Sequence, residues 1–208
     1  GLDYVDVFYS HRYDPETPLE ETMQALVDIV RQGKALYVGL SKYPAGKAEE
    51  AYRYLEARDV HCLLYQGRYN LFDRAPEEEG ILGQARAYGV GFIAFSPLAQ
   101  GLLTSRYLQG VPEDSRMAQG RFLKREVLTE AVLGKIKALD RVAAERGQTL
   151  AEMSLAWVLK DELVTSVIIG ASSVAQLEDN LKALRKVDFS KEEVDRIEAI
   201  CHTPDGGQ

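Results

Sequence analysis

Cysteine is scarce: Cys62 and Cys201 are the only two in 208 residues. Two distant thiols cannot build a disulfide framework, so a reducing cytoplasmic setting is expected. No apolar run approaches the ~20 residues that a membrane helix needs, and no signal-peptide pattern opens the chain. A membrane is therefore not an expected partner. Positive charge is also short. Lys and Arg number 25 against 32 Asp and Glu, a net charge of -7 with no basic stripe, which excludes nucleic acid as an expected partner. What is present is ordinary: 46% hydrophobic and 27% charged residues, the profile of a soluble globular protein. This length suffices for one well-cored domain, with roughly 70% of its unfolded surface buried. A single domain over residues 1–208 is expected, with a polar loop near 109–127 and a terminal helix near 190–202.

One stretch organises the rest. Gly91–Tyr107 reads GFIAFSPLAQGLLTSRY. Its apolar start, bounded by Gly89 and Pro97, predicts a buried parallel strand that Pro97 ends for want of an N–H. Phe95, Ser96 and Leu98 are thereby delivered to the carboxyl edge of a sheet, where ligands of α/β proteins bind. An aromatic ring, a hydroxyl, backbone amides and the cation Arg106 together suit a flat heteroaromatic ring joined to phosphates. An ordinary strand end followed by a polar loop explains the stretch equally well.

Strands are predicted at Tyr4–Ser10, Ala35–Leu40, His61–Gln66, from Gly91, and at Thr165–Gly170. The first four starts, 4, 35, 61 and 91, are spaced by 31, 26 and 30 residues. That is the period of a βα unit and implies a parallel sheet. Between them, Thr17-Pro18-Leu19-Glu20 reads as an N-cap, first-turn proline and capping-box glutamate. An apolar stripe from Leu19 to Val30 follows, stopped at Gly33. Further helices are predicted after Pro44, with Ala48, Ala51 and Leu55 on one side, over about 77–88, and over about 128–146. Thr149, Ser173 and Ser190 each begin another, and the Gly-rich tail after Cys201 is expected to fray. A doubly wound sheet and part of a (β/α)8 barrel both fit this pattern.

Polar residues fall at the predicted strand ends: His11, Ser41, Gln66, Ser96 and Ser172. With them, YSHRYDPETPLEETMQAL, KALYVGLSKY, YQGRYNLFDR, FSPLAQGLLTSRY and SVIIGASSVAQLEDNL closely resemble the aldo/keto reductases. The likeness is greatest to the branch of bacterial glyceraldehyde-3-phosphate-type reductases and potassium-channel β subunits. It runs from Gly1 to about Leu184. The resemblance implies an α/β fold, a (β/α)8 TIM barrel of which about the last five βα units are present. It also implies NADPH-dependent reduction of aldehydes or ketones in the cytoplasm, on a small-molecule carbonyl substrate, with homo-oligomers possible for the fold. Channel regulation or nucleotide sensing on the same fold is the alternative, and an inactive fragment is a third reading. Against channel regulation, the β-subunit group typically has asparagine where this chain has His11.

The resemblance assigns residues. His11 matches the histidine that orients the substrate carbonyl. The family's catalytic Asp, Tyr and Lys match no stretch here, and neither Tyr65 nor Tyr69 takes the acid's place. Ser41 and Gln66 match the residues that hold the nicotinamide carboxamide, and Lys42 stands where asparagine is common. Phe95 matches the ring that stacks on the nicotinamide, while Phe92 is expected in the core. Ser96, Leu98, Gln100 and Arg106, with Arg116 further on, match the pyrophosphate loop. Gly170, Ser172, Gln176, Asp179 and Asn180 match the adenosine end. Gly170-Ala171-Ser172-Ser173 contains no acid to repel a 2′-phosphate, which favours NADP over NAD. Gln176 is also placed to complete a capping box.

Overall fold

The structure is a computed structural model that describes residues 1–108 and 127–203. Arg116, the polar loop at 109–126 and the end of the Gly-rich tail lie outside the described residues. Five strands appear among those described: β1 (Val5–Ser10), β2 (Ala35–Ser41), β3 (Cys62–Arg68), β4 (Gly91–Phe95) and β5 (Ser166–Ile168). They form one sheet in the order β1-β2-β3-β4-β5. The register pairs Val5 with Ala35, Ser41 with Gln66, and Arg68 with Phe95, all parallel. Thr165 leads into β5 by donating its N–H to the Phe92 carbonyl at 2.8 Å.

Sequential order decides between the two architectures that the pattern left open. A doubly wound sheet reverses its strand order at a switch point, which places helices on both faces. Here the order never reverses. Parallel crossovers are right-handed, so each connecting helix returns over the same face.

Two compact units share the chain. The first comprises Gly1–Arg68, Arg74–Phe95 and Leu163–Ser166, and the second comprises Tyr69–Asp73, Ser96–Glu162 and Val167–Gln208. In the first, α1 (Leu19–Arg31) packs on β2 and on α2 (Ala45–Glu56), and α2 packs on β3. The predicted stripe is what α1 buries, with Leu19, Met23, Leu26 and Val27 inward. In α2, Ala48, Ala51 and Leu55 are buried as expected, together with Tyr52. Phe92 is fully buried and stacks on Tyr65 at 5.8 Å between ring centroids. Gly67 makes room for that ring, because a Cβ there would meet Phe92 at 2.6 Å.

Some local expectations needed revision. Thr17 does not cap α1. Its hydroxyl donates to Asp14 at 2.8 Å, and Pro18 takes the cap position without a side-chain hydrogen bond. The helix predicted over 77–88 is two helices, α3 (Ala75–Glu78) and α4 (Ile81–Ala87). They part at Gly80, whose φ of 77° leaves the helical region. The fifth strand is half the length predicted.

In the second unit, α5 (Glu130–Glu145) packs on α6 (Leu150–Val158) and on α8 (Lys191–Cys201), and α6 packs on α7 (Val174–Leu181). Thr149 and Ser190 each form a complete capping box, with Glu152 and Glu193 respectively. Buried Arg146 ties α8 down. Its guanidinium pairs with Glu193 at 2.6 Å, donates to the Asp188 carbonyl at 3.0 Å, and lies 3.7 Å from the centre of the Phe189 ring.

Candidate active site

The expected site residues are divided between the two units, and each set is built within its own unit. In the first, consecutive strands end at one edge and present Ser10, Ser41, Gln66 and Phe95 there. Ser41 is 2% exposed, and its hydroxyl has no hydrogen-bond partner among the described residues. Register places it beside Gln66, half-buried on β3. Lys42 follows at a φ of 55° and sets its ammonium 5.8 Å from the centre of the Phe95 ring. Phe95 is half-buried while Phe92 is fully buried, as strand alternation requires. His11, just past β1, is exposed.

Tyrosines brace this edge. Ser10 Oγ and the Tyr43 hydroxyl share a hydrogen bond of 2.7 Å, and Tyr65 donates its hydroxyl to the Tyr43 carbonyl at 2.8 Å. Burial pushes the Tyr65 phenol up to about 12, against the lowering effect of that hydrogen bond. Burial likewise raises the Tyr43 phenol, with Ser10 acting in the opposite sense. An acid catalyst at neutral pH gains from the reverse shift, and the Tyr65 hydroxyl is already engaged as a donor to the Tyr43 carbonyl.

In the second unit the loop after β4 is held in a costly conformation. Ser96, Ala99 and Gln100 all have positive φ, at 53°, 46° and 59°, and Gly101 follows at 104°. Left-handed backbone costs an L-residue roughly 1–2 kcal/mol, so something must fix it. Asn70 does so at one end. Its amide donates to the Ser96 carbonyl at 3.1 Å, while its Oδ1 accepts from the Phe72 and Asp73 N–H groups at 2.9 and 3.0 Å. At the other end the Thr104 hydroxyl donates to the Gly101 carbonyl at 2.7 Å and accepts from the Arg106 N–H at 3.3 Å. Leu98 anchors the middle on Leu155, Ala156 and Ala183. Gln100 Oε1 is buried without a partner among the described residues. Asn70 was not among the sequence-predicted residues. Its legible signal was the Asn-x-x-Asp spacing of a side-chain turn directly after a strand.

Further along the second unit, Ser173 caps α7 by accepting from the Gln176 N–H. Gln176 does not complete the box. Its Oε1 accepts instead from the Ser172 N–H at 2.7 Å and the Ser172 hydroxyl at 3.0 Å. Asp179 pairs with Lys182 at 2.6 Å on the surface. Asn180 is buried, with its amide nitrogen unpartnered among the described residues. Gly170 is exposed.

Residues 1–202 match the aldo/keto reductase family. The chain belongs to that family. Among its relatives, an L-glyceraldehyde 3-phosphate reductase of Escherichia coli O157:H7 is 48% identical over 99% of this chain and 60% of its own length. A probable voltage-gated potassium channel subunit beta of Oryza sativa subsp. japonica is 39% identical over 97% of this chain and 63% of its own. A crystal structure of a thermostable aldo-keto reductase with the inhibitor epalrestat superposes with a TM-score of 0.71 at 30% identity, over 95% of this chain and 60% of that one. The chain thus spans about 60% of the length of the curated reductases it matches. This aldo/keto reductase chain has the family's α/β barrel fold, with five βα units of it present. No group of three or more metal-ligating side chains occurs among the described residues, and no described helix is long and apolar enough to cross a membrane.

Proposed function

We propose that this chain provides the NADPH-binding part, and the carbonyl-orienting histidine, of an enzyme that reduces aldehydes or ketones to alcohols. The observation that carries the reading is a coincidence of unmet hydrogen bonds. Ser41 Oγ, Gln100 Oε1 and Asn180 Nδ2 are buried and unpartnered among the described residues. They belong to the carboxamide, pyrophosphate and adenosine sets that the family resemblance assigns. A buried polar atom left unpaired costs ~1–3 kcal/mol, and a ligand that satisfies it recovers that loss. Tyr52 Oη and Gln84 Oε1 share this condition, on α2 and α4, and have no place in the cofactor reading.

The residues fit the group. In the first unit, Ser41 and Gln66 hold the carboxamide and Phe95 lies against the nicotinamide face. In the second, Ser96, Leu98, Gln100, Arg106 and Arg116 hold the pyrophosphate, and Gly170, Ser172, Gln176, Asp179 and Asn180 the adenosine end. Gly170-Ala171-Ser172-Ser173 carries no carboxylate at the start of α7, where the helix dipole favours a 2′-phosphate. When bound, NADPH supplies the hydride. His11 donates a hydrogen bond to the substrate carbonyl oxygen, polarising it and stabilising the developing alkoxide. Tyr65 keeps its proton and donates it in a hydrogen bond to the Tyr43 carbonyl, and does not serve as the acid.

A channel-associated, nucleotide-sensing subunit is the second reading, favoured by the 39% identity to the rice relative. It needs the same cofactor residues but not His11. Fluorescence titration of the chain with NADPH and NADH tests the common part. Tighter binding of NADPH is expected, and equal affinities would overturn the assignment of the start of α7. His11→Asn, introduced in the whole enzyme, should cut turnover while leaving NADPH affinity unchanged.

A further inference from the structure

We infer that Asn70 is a positioning residue for the cofactor, holding the loop after β4 in the shape that meets a pyrophosphate. The inference lies wholly within the second unit and rests on the cofactor reading for what that loop binds. It begins with a mismatch between residue type and backbone. Ser96, Ala99 and Gln100 have φ of 53°, 46° and 59°. Glycine takes such angles freely, as Gly101 does in the same loop, whereas a side chain makes them unfavourable. Ser96 also precedes Pro97, whose ring restricts the residue before it. Strain of this kind persists only where the surroundings over-determine it, and it collects at ligand sites. The family resemblance assigns Ser96 and Gln100 to the pyrophosphate, so glycine there would ease the backbone and lose the contact. With side chains kept at those positions, another group has to hold the chain.

Asn70 is anchored for that task. It belongs to the short stretch Tyr69–Asp73 of the second unit and is 0% exposed. Its backbone exchanges two hydrogen bonds with Asp73, each of 3.1 Å, and its Oδ1 accepts from the Phe72 and Asp73 N–H groups. From this closed turn Nδ2 donates to the Ser96 carbonyl at 3.1 Å. The same carbonyl accepts from the Ala99 N–H at 2.9 Å, so it is held from two sides. One bond comes from within the loop, and the other comes from outside it. Pro97 has no N–H with which to add a third. Thr104 secures the far end of the loop through the Gly101 carbonyl, and Asn70 secures the end where the strain is greatest. A loop that leaves its binding shape weakens the ligand in proportion to the fraction still formed. A fall of that fraction to about a tenth raises the Kd about tenfold.

The test is isothermal titration calorimetry of the 208-residue chain with three probes. They are NADP⁺, 2′-phospho-ADP-ribose, which keeps the pyrophosphate without the nicotinamide, and adenosine 2′-monophosphate, which has no pyrophosphate. Asn70→Asp keeps both acceptor bonds of the turn and loses the N–H that reaches Ser96. Asn70→Ser makes the same cut without burying a charge, its hydroxyl closing the turn more weakly. Each variant should raise the Kd of NADP⁺ and of 2′-phospho-ADP-ribose about tenfold and leave that of adenosine 2′-monophosphate unchanged. Hydrogen exchange at the Ala99 amide, bonded to the same carbonyl, should quicken in the free variants and slow again with NADP⁺ bound. A residue that merely supports the fold would weaken all three probes alike, and that result would overturn the inference. So would unchanged affinity for the two pyrophosphate probes, unchanged exchange at Ala99, or failure of both variants to fold. An unaltered chain that binds none of the probes sinks the cofactor reading and takes this inference with it. A variant that keeps the affinity of a binding chain sinks this inference alone.

Discussion

A buried hydroxyl without a partner is a cost in the free chain and an asset in the complex, and Ser41 separates the two. Replacing Ser41 with Ala removes the unsatisfied oxygen. The free chain should be unchanged or more stable by up to ~1 kcal/mol, read as a raised Tm, because an apolar group now fills an apolar setting. NADPH affinity should fall in the same variant. Phe95→Ala should weaken NADPH by ~1 kcal/mol or more through loss of ring contact, without that gain in stability. A Ser41→Ala chain that loses stability and keeps its affinity would show the hydroxyl to be structural. At this scale the positions of Ser41, Gln66 and Phe95 on neighbouring strands were legible, because each lies in or at the end of a short apolar run. For Asn70 only the local turn was legible, because its bond to the Ser96 carbonyl 26 residues away leaves no local periodicity.

Elements were read well where one signal dominates. The helices predicted to begin at Thr149 and Ser190 do so, each with a full capping box, because Ser or Thr with Glu three residues on satisfies two amides by local geometry. The same reading failed at Thr17, where Asp14 competes for the hydroxyl, and at Gln176, where Ser172 competes for the amide oxygen. Propensity alone does not say which local partner wins. Beyond its cap, α8 depends on Glu193. Burial raises the Glu193 carboxyl, but hydrogen bonds from the Ser190 N–H and from Arg146 outweigh it and hold the group below its ordinary 4.5. A carboxylate lowered on folding stabilises above its unfolded value, and that stabilisation is lost as pH falls through the folded one. Glu193→Gln should therefore lower Tm at pH 7, and the gap to the unaltered chain should close as pH falls through and below the ordinary carboxylate range. A gap that stays constant across that range would mean that the carboxylate contributes by packing alone.

For the whole chain, the strand order is what the sequence left open, since βα spacing is the same in a barrel and in a doubly wound sheet. Only pairing distinguishes them, and pairing is non-local. His11 and the residues proposed to hold the cofactor are present, but the family's acid and the lysine that tunes it match nothing in these residues. The 208-residue chain alone should oxidise NADPH with 4-nitrobenzaldehyde at no more than a trace rate, since general acid catalysis typically supplies 10²–10⁴-fold. Turnover comparable to an intact family member would mean that another group protonates the alkoxide, and Tyr65 and Tyr69 would be the first to replace.

Arg146 bears on how this chain comes apart. Its head group rests on Phe189, pairs with Glu193 and bonds the Asp188 carbonyl, gathering the end of α5, the start of α8 and the segment before it. Guanidinium chloride is that head group in molar excess. Once the second unit opens, free guanidinium can take the same seat on the ring and the same carboxylate. Urea carries no charge and cannot replace the ion pair. The two denaturants therefore report different things here: urea reads mainly the exposure of buried surface, and guanidinium reads that together with competition for a single cation's place.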